Sequence, residues 1–155
     1  MGAAWGQYSG HIRFGVPRSL AIHETTLYAP DPELAASFYV RVLGVVPIPA
    51  SLGSAGRALR LPSGSVLLIF DPARSVLPGR GVPIHGAIGP GHVAFGVDAL
   101  DPWRGVLSGA GVPIEQEIDW PGGARSIYFR DPAGNSVELM EGDYWAWAQR
   151  HRPGT

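Results

Sequence analysis

Apolar and polar positions along the chain change period at regular intervals, and these changes outline the elements. Leu20–Ala29 (LAIHETTLYA) suits a strand, which Pro30-Asp31-Pro32 breaks. Asp31 suits a helix N-cap and Pro32 the first helical turn. Leu34, Phe38, Val42 and Leu43 then recur at helical spacing, predicting an amphipathic helix of about three turns that stops at Gly44. A short strand is expected over Val45–Pro49. Arg57–Leu61 and Ser65–Phe70 flank Pro62-Ser63-Gly64 and read as a hairpin. Asp71–Pro90 is a connection rich in glycine and proline.

The same order then returns. Gly91–Val97 (GHVAFGV) reads as a strand. Asp101-Pro102 opens a helix with Trp103, Val106, Leu107 and Ala110 on one face, and Gly111 ends it. Val112–Ile118 reads as a strand. Arg125–Arg130 and Ser136–Met140 flank Asp131-Pro132-Ala133-Gly134-Asn135 as a second hairpin, whose Gly and Asn tolerate the turn. Equivalent features are separated by roughly 70 residues, the mark of a tandem duplication. The expected organisation is an arm over 1–19, a first module over 20–72, a connection over 73–90, a second module over 91–141, and a C-terminal helix and tail over 142–155.

Composition narrows the function. The chain has 155 residues, 45% apolar and 16% charged, enough to bury a core without disulfides. It has no cysteine, so a thiol nucleophile, a disulfide framework and a cysteine zinc site are excluded. A net charge of −1 with scattered basic residues gives no case for nucleic acid. No apolar run reaches the roughly 18 residues that cross a membrane. The first twenty residues, MGAAWGQYSGHIRFGVPRSL, lack an apolar signal core, so a cytoplasmic location is expected. The 22 glycines and 15 prolines punctuate the chain rather than cluster, which fits short strands and tight turns.

The stretches ETTLYAPDPELAASFYVRVLG, GHVAFGV and YFRDPAGNSVELME, together with the duplication, resemble the vicinal oxygen chelate superfamily. That superfamily includes glyoxalase I, extradiol dioxygenases and bleomycin-binding proteins. The resemblance runs from Leu20 to Glu141 and implies an α+β fold of tandem βαβββ modules forming a cup-shaped mixed sheet with flanking helices. It specifies the fold far better than the reaction. It further implies one divalent metal (Mn, Fe, Ni, Zn or Mg), a small-molecule substrate and a homodimer.

Carried over by motif, GHVAF supplies His92 and SVEL supplies Glu138 as metal ligands. Glu138 in an apolar strand is costly to turn inward unless paired or metal-bound, and taken singly it reads as a surface acid. The first-strand ligand has two claimants. Counting back from Asp31 by the family's spacing reaches Glu24. Strand alternation agrees, because Leu27 and His23 share the helix side while Glu24, Thr26 and Tyr28 share the other. Glu24 is favoured, with His23 as its rival. One His and two carboxylates make a set suited to harder divalent ions. Some members carry a fourth acidic ligand, but the equivalent position here falls near Leu68.

Tyr128 faces Glu138 if Arg130 pairs with Ser136, whereas a one-residue slip would substitute Phe129. It is the candidate donor to a developing oxyanion, beside Glu138 as the second catalytic candidate. Arg60 and Arg125 are candidate substrate-anion contacts. Trp120 is a candidate pocket wall, and His85 a candidate lid residue or base. Each of these also has an ordinary reading as packing or exposed surface. The reading favoured is a metal-dependent enzyme of glyoxalase or dioxygenase type acting on an oxygen-rich substrate. The alternative is a metal-free protein that sequesters a drug or metabolite.

Overall fold

A computed structural model describes residues 21–49, 52–79 and 81–151. The expected arm over 1–19 lies outside them. The chain is α+β, built as two βαβββ modules that each fold a four-stranded mixed sheet.

The first module runs β1 (Glu24–Tyr28), α1 (Pro32–Leu43), β2 (Val46–Ile48), β3 (Gly56–Arg60) and β4 (Val66–Phe70), with sheet order β1-β4-β3-β2. A short helix, α2 (Pro72–Ser75), opens the connection. The second module runs β5 (His92–Val97), α3 (Asp101–Gly109), β6 (Gln116–Asp119), β7 (Arg125–Arg130) and β8 (Ser136–Glu141), with order β5-β8-β7-β6. Helix α4 (Tyr144–Arg150) follows. In each sheet the first and last strands of the module run parallel and the remaining pairs antiparallel.

Helix α1 starts as its sequence dictates. Asp31 accepts the Leu34 N–H at 2.9 Å, and Gly44, at φ 65°, closes the helix in the left-handed region. Its buried face differs from the expected one. Phe38 and Val42 are buried as expected, but Leu34 is 56% exposed, and Ala35, Ala36 and Tyr39 are buried in its place. The reason is Tyr39, whose ring packs inward while its hydroxyl reaches Asp131 in the second module at 3.0 Å. Burial and the Asp131 carboxylate push that phenol far above its ordinary range. Helix α3 begins one residue earlier than a capping Asp101 would place it. Leu100 occupies the cap position, buried, with its N–H given to the Glu141 carboxylate at 2.7 Å. Asp101 instead pairs with Arg104. Of the four residues expected on the α3 face, only Leu107 is fully buried.

One core joins the modules. Leu27, Phe38 and Tyr39 of the first pack with Ile127, Phe129 and Val137 of the second. The Asp131–Asn135 turn is the polar part of this joint. Asp131 accepts the Tyr39 hydroxyl, the backbone N–H groups of Ala133 and Asn135, and the Asn135 amide. Asn135 also donates to the Tyr28 carbonyl at 3.0 Å and accepts the Gly91 N–H at 2.7 Å. The turn therefore fixes the end of β1 and the entry to β5 along with the hairpin it closes.

Candidate metal centre

Strand register brings the second module's candidates together. On β8, an inner strand, Glu138 lies between Ala94 of β5 and Tyr128 of β7. The β7–β8 pairing is Arg130 with Ser136, Tyr128 with Glu138 and Ser126 with Met140. Val137 and Leu139 are buried in the core on one face, so Glu138 must project from the other. It is only 4% exposed.

Its two oxygens have different surroundings. Ser126 donates to Oε1 at 2.5 Å. His92 Nε2 stands 3.2 Å from Oε2. Ser126 in turn accepts the Trp120 indole N–H at 2.8 Å. An indole nitrogen can only donate, so the single hydroxyl proton of Ser126 is directed at Glu138. Tyr128 stands opposite Glu138 across the β7–β8 pair. Burial first, then the neighbouring Glu138 carboxylate, raise its pKa against a smaller opposing effect of Ser126. The phenol therefore stays protonated and able to donate near neutral pH. The Tyr128 and His92 rings lie nearly parallel, 6.2 Å between centroids.

His92 is half in solvent, and its Nδ1 lies 3.2 Å from the Ser136 carbonyl. A carbonyl only accepts, so that contact places a proton on Nδ1 and leaves Nε2 to face Glu138. In a neutral imidazole this sets a nitrogen lone pair against a carboxylate oxygen. A shared cation or an added proton resolves the conflict. Two ligands on one ion at ordinary metal–ligand bond lengths are separated by about 3.0–3.4 Å. The observed 3.2 Å fits such a pair.

The first module contributes a different region. Glu24, Thr26 and Tyr28 line a cavity of about 1090 Å³ on the open face of its sheet, while Leu27 is buried on the other face. His23 precedes β1, is exposed, and does not line this cavity. Leu68, at the fourth-ligand position, lies on the cavity wall. Among the described residues, no group of three or more His, Asp or Glu side chains converges within the single chain. Glu24 does not join His92 and Glu138.

The remaining candidates separate. His85 lines the first cavity and holds the Tyr28 hydroxyl at 2.7 Å through Nδ1. Arg60 donates to the Gly64 carbonyl of its own hairpin turn. Arg125 pairs with Glu141 at 2.8 Å and with Asp101 at the start of α3, on the helix side and away from Glu138. Trp120 does more than wall a pocket, since it orients Ser126. Ser126 escapes a reading of single residues because serine is common in strands. Only its shared parity with Tyr128 and Glu138 marks it.

The fold agrees with what the chain resembles among known proteins. Residues 21–139 match the family model described as the Glyoxalase/Bleomycin resistance protein/Dioxygenase superfamily. The chain belongs to that superfamily. It is similar to a lactoylglutathione lyase from Agrobacterium tumefaciens, with 37% identity over 83% of this chain and 98% of that one, and a TM-score of 0.77. A glyoxalase/bleomycin resistance protein/dioxygenase from Nocardioides shares 23% identity over 91% and 92% of the two chains, with a TM-score of 0.63. TioX from Micromonospora sp. ML1 shares 22% over 78% and 98%, with a TM-score of 0.62. The last two share the fold. No curated protein matches the chain. Among the described residues, no helix is long and apolar enough to cross a membrane.

Proposed function

We propose that the protein is a metal-dependent enzyme of glyoxalase type, in which His92 and Glu138 of one chain and Glu24 of a second copy hold a divalent ion. The observation that carries this reading is the 3.2 Å separation of His92 Nε2 and Glu138 Oε2, two acceptor atoms facing each other with their other contacts fixed. Bound there, the ion would polarise two neighbouring oxygens of a small substrate. Glu138 Oε1 is committed to Ser126, so Oε2 is the atom left to take a ligand or a proton. Tyr128 supplies a hydrogen bond to oxygen that gains negative charge. A one-His, two-carboxylate set suits Mn²⁺ or Fe²⁺, with Ni²⁺, Zn²⁺ and Mg²⁺ as further candidates.

Two observations support completion by a second copy. Glu24 does not reach the pair within its own chain. The cavity beside Glu24 is lined by described residues between Glu24 and His85, none of them from the second module. A second chain that laid its second module over this face would bring the three ligands together and cover Val82, now exposed on the cavity wall.

Metal titration followed by thermal unfolding tests the proposal. Manganese at a hundred times its dissociation constant stabilises a folded binder by about 2.7 kcal/mol, a shift of several degrees. His92→Ala and Glu138→Ala should lose that shift. An equal shift in all three proteins, or none in the wild type with any of the five ions, overturns the reading. The similarity to a lactoylglutathione lyase makes lactoylglutathione the first substrate to assay. The alternative, metal-free sequestration of a drug or metabolite, draws on the size of the first cavity and the aromatic group of Trp120, Tyr144 and Trp147. It requires ligand stabilisation that metal leaves unchanged.

A further inference from the structure

The first cavity has two chemically different ends. Glu24 and Tyr28 lie on the same face of β1, four residues and therefore about 13 Å apart. Between them the floor is Thr26, Ala58 and Leu68, with Leu77 and Val82 of the connection across from it, a largely apolar stretch. The Tyr28 end is polar. Its hydroxyl lies 2.7 Å from His85 Nδ1. His85 is no free loop histidine. Its ring stands edge-on to Phe70 at 4.7 Å, and its N–H reaches the Ser75 carbonyl at 3.4 Å. Arg74 also lines the cavity, steadied by Asp71 at 3.2 Å and by the Ser54 hydroxyl at 2.7 Å. These two bonds engage only part of its five-donor fork.

We infer that this cavity takes an elongated substrate whose far end is a carboxylate, held by Tyr28, His85 and Arg74, while its chelating oxygens lie at the Glu24 end. This rests on the proposed metal site for the near end and adds the class of group recognised at the far one. Donor chemistry sets the class. Across the 2.7 Å contact one of the Tyr28 O–H and His85 N–H groups serves the other, which leaves the pair one donor, and a carboxylate accepts from that donor and from the Arg74 guanidinium. The apolar stretch would cover a hydrocarbon or similarly unpolar middle. Glu24, at the opposite end, keeps its charge away from the anion.

Two hydroxamates of equal chain length test the inference by calorimetry on the full chain loaded with manganese. Octanohydroxamate offers the two chelating oxygens and an apolar tail. Suberic acid monohydroxamate adds the distal carboxylate. The wild type should bind the second about tenfold more tightly, in line with one or two charge-assisted hydrogen bonds. His85→Ala and Tyr28→Phe should each erode that preference while leaving octanohydroxamate affinity unchanged, which also shows that the variants are folded. Equal affinity of the wild type for the two probes overturns the inference, as does a parallel loss of both probes in the variants. A companion titration of the metal-free protein with octanoate against octanol separates the two claims. A preference for octanoate that His85→Ala abolishes supports the far-end site even if manganese fails to bind, and no preference for octanoate counts against it.

Discussion

A carboxylate buried on an inner strand must have its lone pairs satisfied, and Glu138 obtains this at Oε1 from Ser126 on β7. Ser126 fixes Oε1 and is itself fixed by Trp120. Replacing it with alanine leaves a buried charged oxygen and an indole N–H without their partner. Ser126→Ala should therefore cost about 1–3 kcal/mol in denaturant unfolding, the usual penalty for an orphaned buried group. It should also weaken manganese binding about 10–100-fold, because partners behind a ligand set its orientation. Trp120→Phe should show the same two effects in smaller measure, since Ser126 keeps its own proton to give. If Ser126→Ala loses stability and keeps full metal affinity, the serine acts in folding alone.

At the scale of elements, the Asp131–Asn135 turn and the β7–β8 hairpin set where the site residues sit. Asn135→Ala removes the partners of the Tyr28 carbonyl and the Gly91 N–H at once. An unfolding cost of about 2–4 kcal/mol is expected from two orphaned groups at a buried joint. Gly91→Ala tests the same joint sterically, because its new Cβ would stand 2.9 Å from the Leu27 side chain. It should shift the start of β5, and so His92, and show as lower metal affinity by titration. Acid probes the ties around α3 and β6. Glu141 is held below the usual carboxylate range by the Leu100 N–H first and then by Arg125, Glu117 by Arg104, and Glu115 by Arg130. A carboxylate depressed in the folded state stabilises above its unfolded pKa, and that contribution fades as pH falls through the folded value. Stability should therefore decline below about pH 4.5. Glu141→Gln should flatten that decline. Glu115 and Glu117 are solvent-exposed and Glu141 is only partly buried, so the effect of each is small.

Much of this element-level order was legible in residue order. The Asp31-Pro32 start of α1, the Gly44 stop and the alternation that sets Glu24 apart from His23 are local signals, and local geometry enforces them. The hairpin register follows from Asp131–Asn135, which leaves Arg130 opposite Ser136. What escaped depends on distant partners. Tyr39 turned α1 by reaching a turn 92 residues away. Arg125 reads as a rim cation until Glu141 and Asp101 claim it. Trp120 reads as a wall until its N–H is seen to meet Ser126.

The whole molecule is held together on its helix side, through α1, Leu27 and the second hairpin, while the opposite face of the first sheet stays open as the cavity. If the metal site is completed as proposed, each chain gives Glu24 to one site and His92 with Glu138 to another, and a symmetric pair of chains would complete two. Mixing variants tests that geometry without any substrate. Glu24→Ala and His92→Ala proteins should each fail to bind manganese alone. If each site uses Glu24 of one chain and His92 of the other, unfolding and refolding the two variants together changes this. Random pairing makes about half the dimers mixed, and each mixed dimer holds one site with both residues intact and one with neither. About a quarter of the sites should then bind metal. If Glu24 and His92 instead served a site within one chain, every site in the mixture would lack one ligand and none would recover. Sedimentation of the same samples must show a dimer, and a monomer that binds manganese fully would refute the exchange.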